Sequence, residues 1–239
     1  MSITEFIRRT SEKEFAKYID NTMLKPDATV DIIKKYVDES IEYNFQCLVV
    51  NPYYVSVVKE LSKGMLRIGT VIGFPLGASK TEVKVFEAKK AVEDGASEVD
   101  MVMNISAFKG GNLDYVLNDI KAVVKEVKEY GDIVVKVIIE AGLLSDEEKI
   151  KAVDIISNAG ADYVKTSTGF IAGGATIHDV QLLYQAARGR VKVKASGGIR
   201  HAEDAIALIL AGADRIGTST GSKIMKEYIS LRKKLYKGD

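Results

Sequence analysis

Three charged residues stand where neighbouring sequence reads as buried strand. They are Lys165 in Ala-Asp-Tyr-Val-Lys-Thr-Ser-Thr-Gly-Phe, Lys194 in Val-Lys-Val-Lys-Ala-Ser-Gly-Gly, and Asp100 in Glu-Val-Asp-Met-Val-Met-Asn. A lysine attacks carbonyl carbon only as the free amine. In water, with a pKa of about 10.4, it is neutral about 0.04% of the time at pH 7. A second ammonium nearby and a dry surrounding both disfavour its charge. A drop of roughly three units, about 4 kcal/mol, raises the neutral fraction to near 30%. Lys165 is therefore read as an amine nucleophile and Lys194 as the cation beside it. Asp100 would accept and return protons, or order a water that does so.

Spacing brings the three together. Lys165 is followed four residues later by Gly169, Lys194 by Gly198, and Asp100 by Asn104. Residues an even number apart on a strand share a face, and neighbouring strands about 4.8 Å apart put the two amines within reach of each other. Each residue has a bland alternative. A lysine near a strand end commonly points to solvent, and Lys136 and Lys192 show that lysine is not rare on these strands. For Asp100 the alternative is a structural salt bridge. Matching offsets on three strands tip the reading toward chemistry.

The elements that must position these residues repeat. Strands are expected at 18–24, 45–50, 67–74, 98–104, 133–140, 161–170, 191–195 and 215–218, each followed by a helical pattern, after a short N-terminal helix. Asn51 and Pro52 read as the start of one helix, Thr29 and Thr176 as caps, and Ser145 with Glu148 as a capping box. A loop through Gly110 and Gly111 precedes a helix over 112–130. The joints Gly95-Ala96-Ser97, Gly160-Ala161-Asp162 and Gly212-Ala213-Asp214 repeat one helix-to-strand turn. Strands alternating with helices call for a parallel sheet, and eight such units favour a closed (β/α)8 TIM barrel over an open sheet. The whole chain, 1–239, is read as one domain.

In such a barrel the chemistry sits at the C-terminal ends of the strands. The expected loops there are Gly169, Ser196-Gly197-Gly198 and Gly217-Thr218-Ser219-Thr220. Their unobstructed N–H groups suit a phosphate, and barrels often hold phosphate after strands seven and eight. Singly, such glycines are ordinary turns. Together they favour a phosphorylated substrate.

Bulk composition narrows the partner. The chain has 239 residues, 46% of them hydrophobic, and 34 Lys plus Arg balance 33 Asp plus Glu. With no basic block, neither nucleic acid nor an anionic membrane is implied. Residues 1–17 lack the continuous apolar run of a signal peptide, and no run approaches the roughly 20 residues of a membrane span. Cys47 is the single cysteine, which fits a reducing, cytoplasmic setting. It is read as packing at strand two or as a pocket residue. His178 and His201 are far apart and read as surface residues. No zinc-type spacing exists, so neither a metal nor another cofactor is expected.

The chain resembles the deoxyribose-phosphate aldolases, class I aldolases built as (β/α)8 barrels. The resemblance runs through Asp20-Asn21-Thr22, Glu98-Val99-Asp100-Met101-Val102-Met103-Asn104, Lys136-Val137-Ile138-Ile139-Glu140, Val164-Lys165-Thr166-Ser167-Thr168-Gly169-Phe170 and Val193-Lys194-Ala195-Ser196-Gly197-Gly198-Ile199-Arg200. It implies reversible cleavage of 2-deoxy-D-ribose 5-phosphate to acetaldehyde and D-glyceraldehyde 3-phosphate, a step of deoxyribonucleotide catabolism, in a homodimer or homotetramer. It assigns the Schiff base to Lys165, depression of its pKa to Lys194 and proton relay to Asp100. Asp20, Thr22 and Cys47 would line the substrate pocket, and Gly169, Gly197, Gly198, Gly217, Ser219 and Thr220 would hold the phosphate. Two positions depart. Phe170 stands where some members have lysine, and Tyr236 is followed by Lys237-Gly238-Asp239 where some members end in a tyrosine. The competing readings are another phosphate-binding barrel aldolase or isomerase, and a non-catalytic barrel that binds a sugar phosphate.

Overall fold

A computed structural model describes residues 1–171 and 173–237, the last of them through its backbone. Among the described residues eight strands form the sheet: β1 (Ile19–Met23), β2 (Cys47–Val50), β3 (Ile68–Ile72), β4 (Glu98–Val102), β5 (Val134–Ile138), β6 (Tyr163–Lys165), β7 (Lys192–Ser196) and β8 (Arg215–Thr218). Each pairs in parallel with the next, and β8 returns to β1 to close the barrel. Between and around them run α1 (Ile3–Arg9), α2 (Glu12–Ala16), α3 (Val30–Glu42), α4 (Val55–Ser62), α5 (Thr81–Asp94), α6 (Ile105–Lys109), α7 (Leu113–Lys128), α8 (Asp146–Asn158), α9 (Ile177–Ala187), α10 (Ala202–Leu210) and α11 (Gly221–Lys237). The three repeated joints share one backbone device. Gly95, Gly160 and Gly212 have φ of 120°, 81° and 116°, values that a side chain disfavours.

Strand alternation sorts the sheet into two environments. Leu48, Val50, Val99, Met101, Val135, Val137, Val164, Val193 and Ile216 face outward and join the main core with helix residues such as Ile33, Val37, Ala88 and Val123. The inward positions are different. Cys47, Val49 and Val71 form a small separate cluster with Leu24, while Asp20, Glu98, Asp100, Lys136, Lys165, Lys194 and Arg215 are buried charges. The outer interface therefore carries the hydrophobic stabilisation, at about 1.5–3 kcal/mol for each fully buried aliphatic or aromatic side chain.

Several local expectations give way to side-chain hydrogen bonding. The N-terminus is two helices, because Ser11 opens a capping box with Glu14 and restarts the chain as α2. Phe15 of α2 stacks on Tyr228 of α11, with ring centroids 3.8 Å apart. Strand four ends at Val102, and Asn104 accepts from the Ala107 N–H at 3.0 Å, turning the expected loop into α6. Asn51 is not a side-chain cap. Its amide donates to the Leu24 carbonyl at 3.2 Å and ties down the end of β1, and a 3-10 turn, Pro52–Tyr54, precedes α4. Thr29, Thr176 and the Ser145–Glu148 box do cap their helices. Strand six stops at Lys165. Beyond it Thr166 Oγ1 donates to the Ser196 carbonyl at 3.1 Å and accepts from the Ser196 N–H at 3.0 Å.

One buried ion pair fastens the helix layer to the barrel. Lys84 Nζ lies 2.7 Å from Asp119 Oδ2 and donates to the Val102 carbonyl at 3.0 Å, and Thr81 Oγ1 donates to the other Asp119 oxygen at 2.8 Å. Both charged side chains have 0% exposure. Lys84→Met should lower the unfolding free energy by about 3–5 kcal/mol, since it leaves Asp119 buried without its counter-charge. Lys84→Met with Asp119→Leu should recover most of that loss. Urea denaturation of the three proteins checks both.

Candidate active site

Every strand but β3 contributes a titratable side chain to the barrel interior, and seven of these side chains join into one ion-pair network. Lys165 and Lys194 are register partners on β6 and β7, and Asp100 is partnered with Lys136 across β4 and β5. Strand tilt in a closed barrel brings Asp100 level with the first pair. Asp100 Oδ2 accepts from Lys165 Nζ and Lys194 Nζ, each at 2.8 Å, and Asp100 Oδ1 accepts from Lys136 Nζ at 2.9 Å. Lys136 also meets Glu98 Oε2 at 2.6 Å, and Lys194 meets Asp20 Oδ2 at 2.6 Å. Arg215 closes the ring, 2.6 Å from Asp20 Oδ1 and 3.4 Å from Glu98 Oε1.

Burial and charge divide the protons unevenly. Burial pushes Lys165 down from an ordinary 10.5 to about 8; Asp100 opposes the shift and the Lys194 cation adds to it. At pH 7 such an amine is neutral about one-tenth of the time. Desolvation thus outweighs the neighbouring cation, which sequence reasoning put first. Burial would also lower Lys194, but Asp100 and Asp20 more than reverse it, so Lys194 is raised. Lys136 is raised well above its ordinary value because Asp100 and Glu98 overcome its burial. Burial alone would raise Asp100, yet Lys136, Lys165 and Lys194 hold it well below the usual carboxylate range. Asp20 is lowered in the same way by Lys194 and Arg215. Lys165 is the network's one amine with a resolved downward shift among the described residues.

The amine opens on a cavity. Lys165, Thr22, Gly169, Gly197, Gly198, Gly217 and Ser219 line a space of ≈ 330 Å³, together with Lys25, Thr168, Phe170 and Arg200. A larger groove of ≈ 630 Å³ lies between the loop after β3 and α5, lined by residues such as Phe74, Val83 and Phe86, and Lys165 does not border it. Asp20 and Cys47 lie beneath the cavity and are not among its described lining residues. Both are fully enclosed: Asp20 is engaged by Lys194 and Arg215, and burial, with Glu98 and Asp20 nearby, pushes the Cys47 thiol well up. Asp20, Cys47 and Glu98 have ligand atoms within 4.8 Å of one another, but ammonium and guanidinium groups already engage both carboxylates. Thr220 also stands back from the cavity, its N–H donating to Thr218 Oγ1 at 3.1 Å. Gly217 has a steric reason to be glycine: a Cβ there would sit 3.1 Å from Lys194 Cε and 3.0 Å from Ser196 Cβ.

A family model described as DeoC/LacD family aldolase matches residues 15–227. The chain belongs to this aldolase family. It is 55% identical to the deoxyribose-phosphate aldolase of Thermoanaerobacter sp. strain X514 over 91% of this chain and 98% of that one. It is also 55% identical to the deoxyribose-phosphate aldolase of Thermococcus gammatolerans, over 89% and 96% respectively. Among solved structures, the tetrameric deoxyribose phosphate aldolase of Aeropyrum pernix superposes with a TM-score of 0.89 at 39% identity, covering 95% of this chain and 96% of that one.

Sequence reasoning on this DeoC/LacD aldolase brought Lys165, Lys194 and Asp100 together, and the structure joins them through one oxygen. It passed over Lys136, Glu98 and Arg215. The available pointer was parity: Glu98 is two residues before Asp100 on β4, and Lys136 is flanked by valines in Val-Val-Lys-Val-Ile. Phe170, half exposed at the cavity rim, packs edge-on against Phe74 with centroids 5.2 Å apart. Tyr236 donates to the Arg8 carbonyl at 3.1 Å. Gly238 and Asp239 lie outside the described residues. Of the described residues, no helix is long and apolar enough to cross a membrane.

A charged Lys165 is a burden on the fold. Between pH 8 and 10.5 the native amine has lost its proton while the unfolded one keeps it, so stability rises with pH across that window. Lys165→Met should therefore be more stable than the parent at pH 6.5, by about 1–3 kcal/mol. The gain should shrink as pH climbs from 8 toward 10.5. Guanidinium denaturation across that range checks the sign and the window.

Proposed function

We propose that this chain is a deoxyribose-phosphate aldolase, a class I lyase that reversibly cleaves 2-deoxy-D-ribose 5-phosphate to acetaldehyde and D-glyceraldehyde 3-phosphate. The observation that carries the reading is a depressed amine, Lys165, opening on the cavity while it shares Asp100 Oδ2 with Lys194 at 2.8 Å each. The names of the relatives and their coverage of nearly the whole chain support the same substrate. In this reading residues 1–239 act as one catalytic unit in the cytoplasm, as a homodimer or homotetramer.

The reaction follows from the geometry. The neutral Lys165 amine adds to C1 of the open-chain sugar, and loss of water leaves an iminium. A proton leaves the C3 hydroxyl, the C2–C3 bond breaks, and its electron pair moves into the enamine while C3 becomes the aldehyde of glyceraldehyde 3-phosphate. The enamine then takes a proton at C2, and water returns to release acetaldehyde and the free amine. The iminium is itself the electron sink, so no step calls for a metal. Asp100, held anionic by three ammonium groups, keeps Lys165 and Lys194 aimed at the same region and serves the proton relay. Thr22 borders the reacting carbons, with Asp20 and Cys47 supporting the site from below.

The phosphate end is assigned to Gly169, Gly197, Gly198, Gly217 and Ser219, with Thr220 stabilising the turn into α11. A helix N-terminus favours an anion, and the exposed Arg200 and Lys25 add positive charge at the mouth. Phe170 adds none, which leaves recognition to these groups.

Borohydride with acetaldehyde should block activity irreversibly and add a two-carbon group to the peptide carrying Lys165; labelling elsewhere would end the assignment. Lys194→Leu should lower kcat at pH 7 by about 100-fold or more and move the optimum to higher pH, because Lys165 regains its proton; steady-state rates from pH 6 to 10 check this. At Gly198, whose φ of 77° disfavours a β-branched side chain, no described residue beyond its chain neighbours lies within 4 Å of where a Cβ would stand, so a valine would distort the loop and project into the phosphate end of the cavity. Gly198→Val should therefore raise KM for the phosphorylated sugar far more than for 2-deoxyribose.

A further inference from the structure

The network continues below the residues that this reading uses. Arg215 opens β8 and Glu98 opens β4, at the end of the barrel away from the cavity, and neither is among its described lining residues. Arg215 bridges Asp20 and Glu98 and lies 5.6 Å from the Tyr163 ring centroid. Asp20 in turn holds Lys194, Glu98 holds Lys136, and both lysines hold Asp100. The linked ion pairs join four cations, Lys136, Lys165, Lys194 and Arg215, to three carboxylates, Asp20, Glu98 and Asp100, while a further buried carboxyl, Glu140, follows β5 and is held by Thr168 outside this set. Fully charged, the linked set carries one excess positive charge. It becomes neutral when one lysine gives up its proton.

We infer that the Arg215–Glu98 pair at the barrel floor is a positioning element that fixes the charge balance of the interior, and so decides how readily Lys165 supplies a free amine. This inference rests on the aldolase reading of Lys165 and adds to it two residues that touch no substrate.

The titratable groups of the interior around Lys165 come from every strand but one: Asp20 on β1, Cys47 on β2, Glu98 and Asp100 on β4, Lys136 on β5 with Glu140 just after it, Tyr163 on its own strand, Lys194 on β7 and Arg215 on β8, while Lys192 of β7 is exposed and lies over the Tyr163 ring. Strand β3 adds no titratable group, although Arg67 just before it reaches Glu98 Oε1 at 2.9 Å from a half-exposed position. Of these, Lys194, Lys136 and Asp100 act on Lys165 directly. Arg215 and Glu98 differ in that each can be neutralised without stranding a partner. Without Arg215, Asp20 keeps Lys194 and Glu98 keeps Lys136 and Arg67. Without the Glu98 charge, Arg215 keeps Asp20 and Lys136 keeps Asp100. Charge alone then changes, and it changes in opposite directions. Removing a cation makes every remaining proton easier to hold, and removing an anion makes it harder.

The test measures the initial rate of cyanoborohydride trapping of acetaldehyde on Lys165 against pH, in the full-length protein. Arg215→Met should raise the pH of half-maximal trapping by at least about half a unit and Glu98→Gln should lower it by a similar amount, about a threefold change in the neutral fraction each way. The double variant should return near the parent, and Arg215→Lys should stay there. Two midpoints that do not move, or that move the same way, would overturn the inference, because loss of a merely structural contact reduces yield without this pair of signs. Should Arg215→Met fail to fold, Glu98→Gln decides alone: a midpoint that does not fall overturns the inference. If the parent is not trapped at Lys165, the proposed reaction falls and this inference with it. If the parent is trapped there and the midpoints stay fixed, only this inference falls.

Discussion

One buried carboxylate oxygen, Asp100 Oδ2, sits between the amines of Lys165 and Lys194. Everything notable about the barrel interior follows from that. Two like charges on neighbouring strands would repel by several kcal/mol in a low-dielectric surrounding. A shared anion makes the arrangement tolerable without making the lysines equal. Lys194 has a second carboxylate, Asp20, whereas Lys165 has no further described carboxylate partner within ion-pair distance. The difference in partners, acting together with burial, separates one amine that keeps its proton from one that sheds it.

An interior of this kind needs an unusually secure shell, because buried ion pairs seldom add net stability. The outward faces of the strands provide it. Leu48, Met101, Val137, Val164 and Val193 pack with helix residues in one continuous core, while Leu24, Cys47, Val49 and Val71 form a small separate cluster. Inward layers that in other barrels hold branched apolar side chains are here given to charge. Gly217 shows how tightly it is fitted, since one methyl group on β8 would meet Lys194 Cε.

The barrel itself was legible because its determinants are local and repeated: the Gly-Ala joints, helix caps at Thr29, Ser145 and Thr176, and eight apolar runs of strand length. Lys165, Lys194 and Asp100 were legible because parity and offset can be counted along a chain. Lys136 escaped because a lone lysine in a strand looks the same whether it points in or out, and only a partner strand decides. Arg215 and Glu98 are 117 residues apart, and nothing along the chain links them. Asn104 and Asn51 were misjudged for a related reason. An asparagine amide finds its partner in space, and each found one that ended or anchored a strand rather than extending the expected element.

The same logic separates two tasks along the barrel axis. Charges that must stay fixed lie deep, on strands whose register is set by ladders of parallel hydrogen bonds, so their spacing cannot drift. Groups that meet a ligand lie in the loops after β6, β7 and β8, where glycine leaves N–H groups open. Lys165 is the hinge between these regions. It is the last residue of β6, 3% exposed, with the ion network on one side and the cavity on the other. One residue earlier its side chain would face the outer core; two residues later it would leave the ladder and the carboxylate that aims it. The position of the amine is therefore dictated by where a strand ends, and Thr166, whose hydroxyl replaces the next ladder hydrogen bond, is what ends it.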